Sequence, residues 1–431
     1  MIAKRNKVYI ETYGCTLNQS DSDIISLSLK KSGYELTASE SSADTVVINT
    51  CTVKGATENK IAERMKKLTK NKVPLVIAGC MSANERLIKK INPHAAIVGT
   101  TSIASVAKAV NDALSGNGTV YKNREDKETA SRPITAPIMR IPICEGCTSK
   151  CHFCQTKIAR PFLFSYHPKT ILKWVEDGMA HGAKEIQLTA MDSGVYGIGS
   201  KTGTETDLPA LLSAICKTKG DFRVRLGMIN PQHAKRMLGA LVKALSHERM
   251  YKFIHIPVQS GSERVCMEMN RQHTVKDFYE VVDAMRKKIP DITIATDIIV
   301  GYPTETEADF EETVRLIEKI RPDITNVSKF SPREGTVAKK MKQLPTQIVK
   351  KRSAKLAEVT RRIQAEKNRE LVGTVVSALI TEKQFGRHND FTGRTNEYKQ
   401  VAVKEYHGKI GARAMVKIIG ANYGGLIGKR I

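Results

Sequence analysis

The chain lacks any run of about 18 apolar residues, roughly what a helix needs to cross a bilayer. It also lacks the apolar centre of a secretory leader, since Met1-Ile-Ala-Lys-Arg-Asn-Lys-Val runs directly into a strand pattern. Both absences predict a soluble, cytoplasmic chain with no membrane partner. Acidic residues are in short supply: 44 Asp and Glu face 69 Lys and Arg in 431 residues, a formal charge of +25. That excess predicts a polyanionic partner. Disulfides are not expected in a reducing compartment, so the nine cysteines read as metal ligands.

A further lack lies in the run Cys147-Thr-Ser-Lys-Cys-His-Phe-Cys. Cys147, Cys151 and Cys154 are spaced C-x3-C-x2-C, with no fourth partner at a matching distance after them. Three thiolates can hold three irons of a 4Fe–4S cube and leave the fourth iron open to a small molecule. The spacing resembles that of the radical SAM enzymes, which implies S-adenosylmethionine (SAM) as that molecule. Cys144 allows another reading, C-x2-C-x3-C-x2-C, a closed four-thiolate zinc site. It falls at the end of a predicted strand, 139–144, where a buried thiol beside the ligands is expected instead.

The pattern divides the chain into three regions. Residues 1–116 alternate short apolar strands (8–11, 45–49, 74–79) with helical segments (21–32, 57–69, 83–91), which predicts a doubly wound α/β domain. Cys15, Cys51 and Cys80 each lie just past one of these strands. Strand ends of an open parallel sheet share one edge, so three distant thiols are expected to converge on a second cluster site. Residues 117–136 read as a polar linker. Residues 137–363 repeat strand and helix six times, with strands at 139–144, 185–190, 222–228, 253–258, 292–300 and 323–330. That predicts an open (βα)6 partial barrel whose site lies at the C-terminal strand ends. Thr306 and Asp309 form a capping-box signature ahead of a helix whose face carries Phe310, Val314 and Ile317.

The last region, 364–431 with its lead-in, is the most basic. Residues 339–370 hold 11 Lys and Arg against 3 Glu, a balance of +8; residues 371–431 hold 10 against 4, a balance of +6. Short strands and Gly-rich turns predict a small OB-like β barrel, a frequent nucleic-acid binder. Its removal is expected to weaken RNA binding and leave the barrel chemistry intact.

Taken together the chain resembles the radical SAM methylthiotransferases. The resemblance rests on Thr12-Tyr-Gly-Cys-Thr-Leu-Asn-Gln-Ser-Asp-Ser, Asn49-Thr-Cys-Thr-Val, His255-Ile-Pro-Val-Gln-Ser-Gly-Ser, Thr296-Asp-Ile-Ile-Val-Gly-Tyr-Pro-Thr-Glu-Thr, Phe330-Ser-Pro-Arg-Glu-Gly-Thr and Gly393-Arg-Thr-Asn-Glu-Tyr. It implies an N-terminal methylthiotransferase domain, a radical SAM core and a C-terminal TRAM domain. Segments 49–60, 154–161 and 260–271 look like the archaeal and eukaryotic subgroup that acts on N6-threonylcarbamoyladenosine in tRNA. Isopentenyladenosine in tRNA or a ribosomal-protein aspartate are the alternatives within the family. A non-catalytic RNA-binding protein with structural metal sites is the alternative outside it. The chain departs from the family in having Met191 where Gln is frequent and Cys144 where Asn is common.

The resemblance implies two 4Fe–4S clusters. The one on Cys147, Cys151 and Cys154 binds SAM and yields a 5′-deoxyadenosyl radical. The one on Cys15, Cys51 and Cys80 carries the sulfur, which one SAM methylates before a second SAM's radical takes the hydrogen from C2 of the adenine. Phe153 is expected to flank the SAM adenine, Arg225 to pair with the SAM carboxylate and Asp192 to bond its amino or ribose groups. Lys157 and Arg160 are expected to read the substrate's carboxylate or its phosphates. Arg387, Arg394, Tyr398 and Lys399 are expected to grip the tRNA anticodon arm. An electron donor such as a ferredoxin or flavodoxin and a sulfur donor complete the expected partners.

Overall fold

The computed structural model describes residues 5–52, 55–125, 127–128, 133, 135–198, 206–383 and 390–431. The first unit is a six-stranded parallel sheet in the order Glu35–Thr37, Lys7–Thr12, Thr45–Thr50, Leu75–Gly79, Ala96–Val98, Val120–Tyr121. Its two middle strands are buried at every position. That follows from helices on both faces: Ile25, Leu29 and Val110 pack on one side, Ile61, Met65 and Leu68 on the other. The sixth strand, Val120–Tyr121, lies inside the stretch read as linker, and Lys127 beyond it is 5 % exposed. The linker is therefore partly sheet and partly core.

Six parallel strands follow, close to the expected places, in two sheets of three. Ile138–Pro142, Glu185–Thr189 and Arg223–Arg225 form the first; Phe253–His255, Thr293–Val300 and Ile324–Lys329 form the second. The seam is bridged by Val224 and Met250. The third strand is shorter than its apolar run because Met228 O leaves the ladder to accept Ser193 N at 2.8 Å, and Ile229 N donates to His255 O at 2.9 Å. The capping box is present: Thr306 and Asp309 start the helix Glu307–Ile320, and Phe310, Val314 and Ile317 are buried.

The last unit is a closed five-stranded barrel of Val375–Lys383, Phe391–Thr395, Gln400–Lys404, Gly425–Arg430 and Arg413–Asn422. The strand Phe391–Thr395 stops where the chain turns, and Tyr398 beyond it takes φ 62°. The basic lead-in is the helix Thr346–Arg369. It lies along Glu307–Ile320 and pairs its cations with that helix: Arg352 with Glu307 at 2.9 Å, Lys355 with Glu311 at 2.5 Å, Arg362 with Glu318 at 3.0 Å. Part of its positive charge thus faces the barrel rather than a nucleic acid. Among the described residues no helix is long and apolar enough to cross a membrane.

Candidate functional site

Cys15, Cys51 and Cys80 end three neighbouring strands of the first sheet, Lys7–Thr12, Thr45–Thr50 and Leu75–Gly79. Parallel order is what puts them on one edge. Two glycines shape their loops. Gly14 has φ 105°, and a Cβ there would sit 2.6 Å from Cys51 Sγ. Gly79 has φ 83°, and a Cβ there would strike Asn49 and Thr50. Asn18 ties the loops together: its Nδ2 donates to Tyr13 O at 2.9 Å and Thr50 O at 2.5 Å, and its Oδ1 accepts from Cys80 Sγ at 3.8 Å. Cys51 and Cys80 are buried, while Cys15 is exposed.

Cys147, Cys151 and Cys154 lie on the loop after the first barrel strand, each partly buried. The rest of the protein fixes this loop. His152 N donates to Met269 O at 3.0 Å, and Asn270 Nδ2 to Lys150 O at 2.9 Å. Two donors already point at its sulfurs: Ser149 N to Cys147 at 3.4 Å and Arg271 Nη1 to Cys151 at 3.3 Å. Such N–H···S bonds are what a thiolate on an iron–sulfur cluster accepts. Cys144 is 0 % exposed and donates to Asp192 O at 3.5 Å, with burial raising its thiol well above the usual range. It is a core thiol turned to backbone, which removes the fourth zinc ligand.

Among the described residues, no three His, Cys, Asp or Glu side chains converge as ligands of a single metal ion. A cube differs, because each cysteine holds its own iron and the sulfurs stay apart. Both cysteine sets suit that donor arrangement. Burial pushes the Cys80 thiol up to about 12 and the Cys147 thiol up to about 11. Metal binding there must release protons, as it does for any thiol ligand.

A cavity of about 570 Å³ joins the two regions. Gly14, Cys15, Cys51 and Thr57 form one wall; Phe153, Gln259, Asp297 and Asn326 form the other. Asp297 Oδ1 lies 3.0 Å from His255 Nε2 and accepts from Asn326 Nδ2 at 2.8 Å. Gln259 is 8 % exposed and holds φ 74°, a conformation that a side chain other than glycine adopts under local constraint. Phe153 also lines an adjoining cleft with Asn59, Lys329 and Arg333.

Several expected contacts lie elsewhere. Asp192 is 0 % exposed and already engaged: it accepts Gly194 N at 3.0 Å and Asn230 Nδ2 at 2.5 Å. Asn230 Oδ1 accepts Arg271 Nη2 at 2.6 Å, so Asp192 reaches the Cys151 sulfur only through Asn230 and Arg271. Arg225 stacks on Phe253 at 5.1 Å and on Tyr398 at 5.8 Å, at the floor of the barrel and away from the cysteine loop. Lys157 donates to Cys147 O at 2.7 Å and Ser149 O at 3.0 Å, bracing the loop. Arg160 is 2 % exposed, held by Glu145 at 2.8 Å and by Asp21, so it is closed off from a nucleic acid.

The C-terminal candidates are also committed. Tyr398 fills the barrel floor, Lys399 pairs with Asp323 at 3.0 Å, and Arg394 covers the Tyr398 ring at 5.3 Å. They dock one unit on the other. Arg387 lies outside the described residues. Exposed cations do form a row on the small barrel: Lys404 is in register with Lys429, and Lys429 with Lys417, on three adjoining strands. Sequence reasoning missed this row, because pairing across strands leaves no local pattern. It also missed Asn18, Gln259, Arg271 and Asp297, although each stands in a segment that resembles the family.

Against known proteins, residues 7–99 match the Uncharacterized protein family UPF0004, and residues 141–317 match the Radical SAM superfamily. The radical SAM methyltransferase TsrM from Kitasatospora setae, solved with cobalamin and a [4Fe-4S] cluster, aligns with a TM-score of 0.54 at 12 % identity, covering 78 % of this chain and 77 % of that one. The SAM radical enzyme OxsB aligns with a TM-score of 0.52 at 12 % identity, covering 83 % of this chain and 56 % of that one. These likenesses define the fold as that of the radical SAM enzymes, a class built on an iron–sulfur cluster and SAM. A probable threonylcarbamoyladenosine tRNA methylthiotransferase of Archaeoglobus fulgidus is 40 % identical over 428 residues, 98 % of each chain. The threonylcarbamoyladenosine tRNA methylthiotransferase of Drosophila melanogaster is 34 % identical over 443 residues, covering 100 % of this chain and 78 % of that one. The human one is 34 % identical over 433 residues, covering 96 % and 72 %. The chain belongs to the family of threonylcarbamoyladenosine tRNA methylthiotransferases.

Proposed function

We propose that this chain adds a methylthio group to C2 of N6-threonylcarbamoyladenosine in tRNA, using two 4Fe–4S clusters and SAM. The observation that carries the reading is the single cavity with Cys15 and Cys51 on one wall and Phe153, beside Cys154, on the other. When bound, a cluster on Cys147, Cys151 and Cys154 supplies the electron that splits SAM, and one on Cys15, Cys51 and Cys80 supplies the sulfur.

The chain's own residues place and shield. At about 570 Å³ the cavity suits one flipped nucleoside. Asp297, Asn326 and Gln259 offer it hydrogen bonds, and Phe153 and Ile299 give it apolar surface. Held there, the base lies between the two cysteine sets, and its C2–H faces chemistry that no side-chain base could perform. Arg271 and Ser149 hold the sulfurs of the first set, and Lys157 braces its loop. The doubly wound domain, partial barrel and TRAM-like barrel are read here as the sulfur-delivering, radical-forming and RNA-gripping units. The lysine row of Lys404, Lys417 and Lys429 takes the phosphate contacts expected of Arg394 and Lys399. An electron donor such as a ferredoxin or flavodoxin and a sulfur donor are still required. Nucleoside mass spectrometry of tRNA from cells with and without the gene tests the reading. Loss of the 2-methylthio derivative supports it, and unchanged content contradicts it.

A further inference from the structure

Two segments far apart in sequence meet at the second cysteine set. Asn18 and Asp21 follow Cys15 in one, and Arg160 closes the run after Cys154 in the other. Asn18 Oδ1, which accepts from the Cys80 thiol at 3.8 Å, also accepts from Arg160 Nη2 at 3.1 Å. The Arg160 guanidinium is therefore held next to the Cys80 sulfur. Asp21 and Glu145 fix it there, and Lys127 bridges the same two carboxylates at 3.1 and 2.7 Å. Tyr166 OH donates to Glu145 at 3.1 Å. All four charged groups are buried.

Among the described residues, two carboxylates stand against one Arg and one Lys, so these four charges balance. The member nearest the sulfur is a cation. Burial raises the Cys80 thiol against the pull of that cation. Taking four charges out of water is unfavourable unless they are fully paired, and apolar packing of the same volume would brace the fold at least as well. A buried cation and N–H donors beside cluster sulfur both favour the reduced state.

We propose that Arg160 is a positioning residue that raises the reduction potential of the cluster held by Cys15, Cys51 and Cys80. The proposal rests on the two-cluster reading above. The network then governs how an electron divides between the sulfur-carrying cluster and the barrel cluster that must cleave SAM. It also joins the first sheet, Lys127 and the loop at Glu145, two residues before Cys147. The same contacts therefore fix one cysteine set against the other.

The test uses the full chain with Cys147, Cys151 and Cys154 replaced by Ala, so that only the second cluster can form. After anaerobic reconstitution, iron per chain and a redox titration followed by electron paramagnetic resonance are measured. Arg160→Gln should shift the midpoint to more negative values and Asp21→Asn to more positive ones. Arg160→Lys should fall between Arg160→Gln and the parent, and the Arg160→Gln, Asp21→Asn double variant should return close to the parent. Should Arg160→Gln not load iron, Asp21→Asn and Arg160→Lys still decide the sign. Unmoved potentials, or shifts of one sign for both single charges, overturn the inference and leave the two-cluster reading standing. A folded parent that holds no iron–sulfur cluster overturns both.

Discussion

The Tyr398 hydroxyl donates to Glu185 Oε1 at 3.1 Å, across 213 positions of sequence. It also accepts Gln187 Nε2 at 3.1 Å, and its ring packs edge-on to Tyr251 at 4.8 Å. A hairpin of the small β barrel thus plugs the floor of the radical SAM half-barrel. The motif Gly393-Arg-Thr-Asn-Glu-Tyr, expected from sequence to touch RNA, is a docking element.

Docking changes what truncation should do. Removing residues 371–431 takes away Tyr398 and leaves Asp323 without Lys399. SAM cleavage should fall along with RNA binding, against the expectation drawn from composition alone. Tyr398→Ala should cost about 3 kcal/mol, the scale of a packed aromatic, and Tyr398→Phe about 1 kcal/mol, that of a hydrogen bond. Urea unfolding of the full chain measures both. Equal stability of all three forms would show that the plug carries no weight.

The lysine row makes a separate prediction. Lys404→Ala, Lys417→Ala and Lys429→Ala should weaken tRNA binding while leaving thermal stability unchanged, since all three are exposed. The slope of log affinity against log salt should shrink by roughly 0.7 to 0.9 for each phosphate no longer neutralised. Lys399→Ala should do the reverse, lowering stability through Asp323 and leaving the slope alone.

His273 gives a pH dependence. It is 7 % exposed, with Nε2 3.3 Å from Val258 O, and burial, assisted by Arg271, pushes its imidazole down to about 3 from an ordinary 6.5. The unfolded chain binds the proton first as pH falls, so stability is full above 6.5 and is lost between 6.5 and about 3. By pH 4.5 the loss should be on the order of 2 kcal/mol. Melting curves of the parent and His273→Gln should converge or cross as pH falls from 7. Parallel curves would contradict the assignment.

Cysteine substitution should separate the two sets. Anaerobic reconstitution should approach about eight irons per chain, with about four in either triple Ala variant. The variant lacking Cys15, Cys51 and Cys80 should still cleave SAM and insert no sulfur. The variant lacking Cys147, Cys151 and Cys154 should do neither. Loss of cleavage in both folded variants would refute the division.

Position just past parallel strands made Cys15, Cys51 and Cys80 legible as one edge, and a local pattern, the C-x3-C-x2-C spacing, made Cys147, Cys151 and Cys154 legible. The capping box at Thr306 and Asp309 was legible for the same local reason. Side-chain partners were not. Arg160 and Asp192 are polar residues that the fold buries against distant partners as well as near ones, Asp21 at 139 positions from Arg160 and Asn230 at 38 from Asp192. Arg225 and Tyr398 meet only because two units dock. A charge count could not see that helix Thr346–Arg369 pairs cations with Glu307, Glu311 and Glu318.

The most direct measurement is anaerobic turnover with SAM and reductant on three tRNAs that differ only in one base: threonylcarbamoyladenosine, isopentenyladenosine or unmodified adenosine. Nucleoside mass spectrometry reads the products. A 2-methylthio product is expected from the threonylcarbamoyl tRNA, together with 5′-deoxyadenosine. Methylthiolation of the isopentenyl tRNA, with the threonylcarbamoyl tRNA untouched, would contradict the proposed substrate.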